Sequence, residues 1–177
     1  MKITTHLILI VIIAGFICCE DGNDNDQHVN LSGNMIEYST CKSDFKSSFV
    51  ATTPDTLSCI EYSYDNALSK LTINHINAGF NCCPESLYCD ISLINDTIVI
   101  EEFEAAALCR CNCLYDLDFV LSGVKAKKYH IKFIEPYLGN QEQLFFEVDL
   151  AEDITGSCCV IRKIYPWGEF SLHNEYN

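Results

Sequence analysis

The cysteines limit what this chain can fold into more than any other feature. There are 12 cysteines in 177 residues, and Cys109, Cys111 and Cys113 occupy alternate positions. The alternation then continues in apolar residues: Tyr115, Leu117, Phe119 and Leu121. A period of two places successive side chains on opposite faces of a β-strand. We therefore expect a strand whose buried face begins with these three thiols.

The N-terminus carries an export signal. An apolar run of 11 residues extends from Leu7 to Ile17, which suits a signal peptide and is shorter than the roughly 20 residues of a membrane span. Cys18 and Cys19 end the run, and an acidic stretch follows. This arrangement resembles a bacterial lipoprotein signal, and the acidic stretch resembles the export tether of surface lipoproteins in the Bacteroidetes group. The resemblance implies lipidation at Cys18 or Cys19 and an outer-membrane or cell-surface location.

An ordinary cleaved secretory signal is the alternative, and it would make the protein secreted or periplasmic. In either case we predict a signal peptide over residues 1–18 and a flexible acidic tether over residues 19–34. The tether sequence is polar, acidic and without periodicity. A single folded domain then occupies residues 35–177.

Export permits disulfide formation. Ten cysteines lie in the predicted domain, an even number that favours a full disulfide framework. These disulfide candidates are Cys41, Cys59, Cys82, Cys83, Cys89, Cys109, Cys111, Cys113, Cys158 and Cys159. Strand residues two apart are separated by about 6.6 Å, whereas bridged cysteines need Cβ atoms about 3.8 Å apart. The three alternating cysteines must therefore bond elsewhere.

Their nearest partners along the chain are Cys82, Cys83 and Cys89, which an intervening hairpin can bring back. The remote cysteines remain open as alternative partners: Cys41, Cys59, Cys158 and Cys159. The same six cysteines suggest an alternative function, a zinc-binding or copper-binding cysteine cluster. Its ligands would be Cys82, Cys83, Cys89, Cys109, Cys111 and Cys113. The spacing lacks the C-x(2–4)-C turn typical of closed zinc sites, and an exported location favours oxidation. We therefore favour disulfides and expect no cofactor.

The clearest local structure is a hairpin. Residues 91–94 and 97–100 are apolar segments on either side of Asn95 and Asp96, the spacing of a two-residue turn. This places Leu93 opposite Ile98 and Ile91 opposite Ile100, with Cys89 on the same face.

Short alternating runs recur along the rest of the domain, and the only helical signal is one possible turn within residues 101–107. This pattern predicts an all-β fold, an antiparallel β-sandwich of about eight or nine strands stapled by disulfides. A small closed β-barrel is the alternative. Residues 121–129, ending in Tyr129, resemble the E-to-F corner of fibronectin type III and related domains, which implies an immunoglobulin-like sandwich.

Charge and motifs restrict the function. The net charge of −14 disfavours nucleic acid as a partner. No nucleophile elbow, H-E-x-x-H motif or phosphate loop is present. We expect His75 and His130 to be strand residues that face solvent or are satisfied near the core, and we predict no catalytic residue and no enzyme activity.

A C-terminal aromatic segment is the candidate ligand site. Tyr165, Trp167 and Phe170 could contact a protein or a glycan, although a lone tryptophan more often closes the end of a β-sandwich core. The sequence as a whole predicts a non-catalytic envelope or surface lipoprotein that has a binding or structural role and a lipid anchor in the membrane.

Overall fold

The computed structural model describes residues 31–42 and 53–164. The described residues form nine β-strands and no helix, and so none of them belongs to a helix that could cross a membrane. The strands are β1 (Ser32–Tyr38), β2 (Leu57–Asp65), β3 (Lys70–Asn81), β4 (Pro84–Ile94), β5 (Thr97–Ala107), β6 (Asn112–Ser122), β7 (Lys128–Ile134), β8 (Phe145–Asp149) and β9 (Thr155–Ile161). The prediction of an all-β domain is confirmed.

The strands form two packed sheets. The first sheet has the order β1-β6-β3-β2-β9 and is antiparallel throughout, and the second has the order β4-β5-β7-β8. Two separate sheets make a sandwich and not the alternative closed barrel. One pairing departs from the antiparallel prediction, because β5 and β7 run parallel, with Ile98 opposite Ile131. The chain leaves the second sheet after β5, forms β6 in the first sheet, and returns as β7.

Alternating apolar residues from both sheets build the core. The central strands β3, β6 and β7 contribute Ile73, Phe119 and Phe133, whose side chains are fully buried. Phe119 and Phe133 meet edge to face with their ring centroids 6.0 Å apart. Burial of one such side chain contributes up to about 3 kcal/mol, so these positions hold the two sheets together.

The predicted hairpin is confirmed in position and register. Leu93 lies opposite Ile98, Ile91 lies opposite Ile100, and Asn95 adopts the positive φ of 56° that a tight turn requires. The two strands differ in burial, because β4 is an edge strand and β5 is internal. Leu93 is therefore 42% exposed, whereas Ile98 is fully buried.

Some local predictions differ from the structure. Strand β1 begins at Ser32, within the segment predicted as tether. Residues 101–107 belong to β5 and do not form a helical turn, because pairing with β4 along their length holds them extended. Strand β6 begins at Asn112, so Cys109 and Cys111 precede it and Cys113 alone lies inside.

The connection between β6 and β7 carries the chain from one sheet to the other. Gly123 takes a φ of 76° in this corner, and the Tyr129 hydroxyl accepts a hydrogen bond of 3.2 Å from the backbone N–H of Lys125. The buried Tyr129 side chain, at the start of β7, thus holds the backbone of the corner at Lys125.

Candidate functional site

Four disulfides join eight of the ten predicted candidates. They are Cys41–Cys113, Cys59–Cys159, Cys82–Cys111 and Cys83–Cys109. Their Cα–Cα distances lie between 4.0 and 5.6 Å. The prediction of a disulfide-stapled domain is therefore confirmed.

The pairing follows strand geometry. Cys82 and Cys83 bond to Cys111 and Cys109, as the hairpin between them predicted. Cys113 bonds to Cys41 and not to a cysteine near the hairpin, because β6 pairs with β1 and the chain leaving β1 continues along β6. The expected row of buried thiols is also wrong in part, since Cys113 is fully buried while Cys111 is exposed.

The expectation of a complete framework of ten bonded cysteines is wrong for Cys89 and Cys158, which are free thiols. Cys89 lies in β4 opposite Glu102, away from the other sulfurs, and Cys158 points to the face of β9 opposite to that of Cys159. Burial raises the pKa of both thiols, which leaves them protonated and weakly nucleophilic at neutral pH.

The alternative metal site is not formed. Five of its six proposed ligands, all except Cys89, are oxidised in disulfides. A disulfide sulfur provides no thiolate charge to a metal ion. No group of three or more potential metal ligands occurs within residues 31–42 and 53–164.

A buried asparagine organises the segment around the two adjacent disulfides. The Asn81 side-chain amide donates to the carbonyl oxygens of Cys109 and Cys111 at 2.7 and 3.0 Å. Its side-chain oxygen accepts from the backbone N–H groups of Cys83 and Cys109 at 3.0 and 3.2 Å. Asn81 is only 3% exposed, and these four partly buried hydrogen bonds satisfy both the oxygen and the nitrogen of its side chain. We call Asn81 with these two disulfides the Asn81 disulfide cluster.

Glu104, in the second sheet, contacts the Asn81 disulfide cluster. One of its carboxylate oxygens accepts from the Asn81 backbone N–H at 2.7 Å, and the other accepts a short hydrogen bond from the Tyr137 hydroxyl. Burial and this hydrogen bond raise the pKa of Tyr137 to about 12. Tyr137 therefore remains a donor to Glu104 throughout the physiological pH range.

A second polar group lies deeper between the sheets, and we call it the buried charge cluster. It consists of Ser58, His75, Glu102, Glu135 and Arg162, each at most 6% exposed. His75 Nδ1 lies 2.7 Å from Glu102 Oε1, and His75 Nε2 lies 2.8 Å from Ser58 Oγ. Arg162 Nη2 donates to both carboxylate oxygens of Glu135, at 2.7 and 2.5 Å.

Three residues of the cluster are hydrogen-bonded in the same sequence as the residues of a hydrolytic triad. Ser58, His75 and Glu102 form a hydroxyl–imidazole–carboxylate chain, which resembles the Ser-His-acid arrangement of acyl-transfer enzymes in geometry alone. Ser58 and His75 have no exposed surface, so a substrate cannot reach Ser58 Oγ in this conformation. The Phe133 ring packs against His75 at 5.1 Å and helps to seal the imidazole.

The electrostatics of the cluster favour bound protons. Burial by itself lowers the pKa of His75, but the facing carboxylates of Glu102 and Glu135 outweigh it and raise that pKa above the ordinary value. Burial also raises the pKa of Glu135, although His75 and Arg162 act against this. The Glu102 oxygen Oε2 is buried and has no hydrogen-bond partner among the described residues.

Exposed aromatic residues lie on the outer face of the second sheet. Tyr88 stacks on Phe103 at 5.2 Å, and Phe145 stacks on His130 at 5.3 Å. Tyr88 and Phe145 are 46% and 53% exposed. His130 thus faces outward and His75 faces the core, the two environments expected for these histidines.

The remaining predicted site residues, Cys18, Cys19, Tyr165, Trp167 and Phe170, lie outside the described residues. Sequence reasoning did not single out Ser58, Glu102, Glu135 or Arg162. One signal was present, since Glu102 follows Ile98 and Ile100 in the buried phase of β5. An acidic residue at a core-facing position of a strand indicates a buried polar partner.

Comparison of the chain with protein families, curated proteins and solved structures found no match.

Proposed function

We propose that the chain is an exported, non-catalytic module of the cell envelope or cell surface, anchored through a lipid on Cys18 or Cys19. Four disulfides are the observation that supports this proposal best. Such bonds persist in oxidising compartments and are rare in reducing ones. The sealed Ser58 hydroxyl supports a non-catalytic role.

Mass spectrometry of the protein isolated from the cells that produce it tests both the lipid anchor and the oxidising compartment. We expect a mature N-terminus at Cys18 or Cys19 that carries a lipid, and non-reduced peptides that contain the four linked cysteine pairs. An unmodified terminus downstream of Cys19 contradicts the anchor. Free thiols at Cys82, Cys83, Cys109 and Cys111 contradict the oxidising compartment.

The binding part of the proposal uses the outer face of the second sheet. Its two stacked aromatic pairs are flanked by exposed acidic residues, a composition that suits a protein or glycan partner. A photoreactive side chain placed at Tyr88 or Phe145 in cells should then form one discrete adduct. The control position is Leu68, which is 68% exposed in the turn between β2 and β3. Equal labelling at all three positions contradicts a binding role for this face.

A further inference from the structure

The buried charge cluster joins both sheets. Ser58 and His75 come from β2 and β3 of the first sheet, and Glu102 comes from β5 of the second. Glu135 directly follows β7 and Arg162 directly follows β9. The contacts among these residues therefore connect the β2–β9 side of the first sheet to the interior of the second sheet.

Arg162 connects the cluster to the chain that surrounds it. Besides its ion pair with Glu135, it donates from Nη1 to the carbonyl oxygen of Glu142 at 2.6 Å. Its backbone N–H donates to the carbonyl oxygen of Thr56 at 2.8 Å. The end of β9 is thus held to the segment before β2 and to the segment before β8.

While Glu102 and Glu135 are both ionised, the charges of the cluster balance only when His75 is protonated. Glu102 and Glu135 supply two negative charges when ionised, and Arg162 supplies one positive charge. A protonated His75 supplies the second positive charge and brings the sum to zero. A neutral His75 leaves one net negative charge in a site where each side chain is at most 6% exposed, and an uncompensated buried charge is costly.

Neither the other groups that contact His75 nor Cys89, which lies opposite Glu102, can supply the missing charge. Phe133 of β7 presents an aromatic ring, and Ser58 of β2 presents a hydroxyl. Cys89 of β4 lies opposite Glu102 with a protonated thiol. The Glu102 carboxylate, whose buried Oε2 has no hydrogen-bond partner among the described residues, adds to the negative potential at the imidazole.

We propose that the buried charge cluster is a proton-dependent latch, which holds the end of β9 to the second sheet while His75 is protonated and releases it locally when His75 loses its proton. In the released state water reaches Glu102, Glu135 and Arg162, and solvation replaces the lost charge balance. The disulfide Cys59–Cys159 keeps β9 attached to β2. The opening is therefore local and reversible and does not lead to global unfolding.

The sign of the pH dependence follows from proton binding. The latched state holds the His75 proton more tightly than the released state, in which an exposed histidine has its ordinary pKa of about 6.5. The opening constant should therefore rise up to about tenfold per pH unit above pH 6.5 and level off above the pKa of the latched state. The raised pKa of Glu135 acts in the same direction at lower pH.

Hydrogen exchange of the intact chain, followed by NMR and corrected for intrinsic exchange rates, tests this proposal. We expect the opening constant at the Arg162 amide to rise up to about tenfold per pH unit above pH 6.5. The reference is the Cys82 amide, which donates to the Cys111 carbonyl oxygen within the Asn81 disulfide cluster. This amide should show no such rise. Equal pH dependence at both amides, or none at Arg162, overturns the proposal.

Matched variants locate the responsible histidine. His75→Gln should abolish the rise at Arg162, whereas His130→Gln, which removes an imidazole on the outer face, should leave it unchanged. If His75→Gln does not fold, Glu102→Gln serves instead, because it removes a carboxylate that raises the pKa of His75 in the latched state. The opening constant should then still begin to rise near pH 6.5 but level off at lower pH, so that its total increase is smaller. The imidazole nitrogen shifts of the unmodified chain give an independent measure. Titration of His75 at or below pH 6.5 overturns the proposal.

Discussion

At the scale of single residues, buried polar side chains fix parts of this sandwich that apolar packing leaves undetermined. Asn81 makes four hydrogen bonds to backbone groups of three cysteines, and those groups belong to segments on either side of the β4–β5 hairpin. Arg162 likewise holds Glu135 with two hydrogen bonds inside the core. Removal of either side chain leaves partly or fully buried partners without these hydrogen bonds, which costs more than the bonds contribute.

We predict that Asn81→Ala destabilises the domain by about 3 kcal/mol, because several partly buried backbone groups near the disulfides lose their partners. Urea unfolding followed by circular dichroism measures the change. Asn34→Ala is the control, since Asn34 is exposed and makes one local hydrogen bond. Similar free energies of unfolding for both variants would mean that Asn81 does not stabilise the Asn81 disulfide cluster.

We predict that Arg162→Met lowers the free energy of unfolding by about 3 kcal/mol or more, because the buried Glu135 carboxylate loses both hydrogen bonds from Arg162 and keeps His75 Nε2 at the longer distance of 3.8 Å. The cost should be smaller in acid, where Glu135 binds a proton. Lys128→Met is the control, because its ion pairs with Glu147 and Asp149 lie at the surface and such pairs contribute little. The prediction fails if the two variants have the same unfolding midpoint at pH 7.

At the scale of secondary structure elements, the β4–β5 hairpin is closed at both ends. A two-residue turn at Asn95 and Asp96 joins its strands at one end. Two disulfides, Cys82–Cys111 and Cys83–Cys109, join the segments at its other end, with sequence separations of 29 and 26. Because the two bonds close almost the same loop, they restrict nearly the same unfolded conformations.

We therefore predict strong non-additivity between these two disulfides. Loss of either pair through serine substitution should change the free energy of unfolding little, whereas loss of both should cost about 3 kcal/mol. Loss of Cys59–Cys159, whose separation is 100, should cost more than either single loss, up to about 5 kcal/mol. Chemical denaturation of the four variants measures this. Additive losses at the hairpin would show that each bond acts on its own loop.

At the scale of the whole molecule, the domain combines a strongly negative charge with covalent cross-links. The net charge of the whole chain is −14, and self-repulsion among so many acidic residues destabilises a compact state. The disulfides oppose unfolding by a route that does not depend on charge, because they limit the unfolded chain. A surface that repels other acidic surfaces is thus combined with a stable core.

We predict that added sodium chloride raises the urea midpoint, because salt screens repulsion among the exposed acids. The control is a double variant, Glu61→Lys with Glu85→Lys, at two exposed positions. This variant carries fewer negative charges and should respond less to salt. An identical salt response in both proteins would rule out self-repulsion as the cause.

The sequence could predict local structure well. Alternation between neighbours decides which side of a strand is apolar, so a sandwich of about eight or nine strands and the register of Leu93 with Ile98 followed from short segments. It could not predict how β4 differs from β5 in burial, since that depends on which strand lies at the edge of the sheet. The candidate site was predicted only in part, through the pairing of Cys82 and Cys83 with the alternating cysteines.

The sequence alone therefore determined the strand content, the hairpin and the presence of disulfides, because each depends on residue types and on spacings within a few positions. Tertiary structure decided the bonds Cys41–Cys113 and Cys59–Cys159, which span 72 and 100 residues. It also decided the parallel pairing of β5 with β7 and the placement of Glu102, Glu135 and Arg162 around His75. These features arise from contacts between distant segments, and only packing of the two sheets brings the segments together.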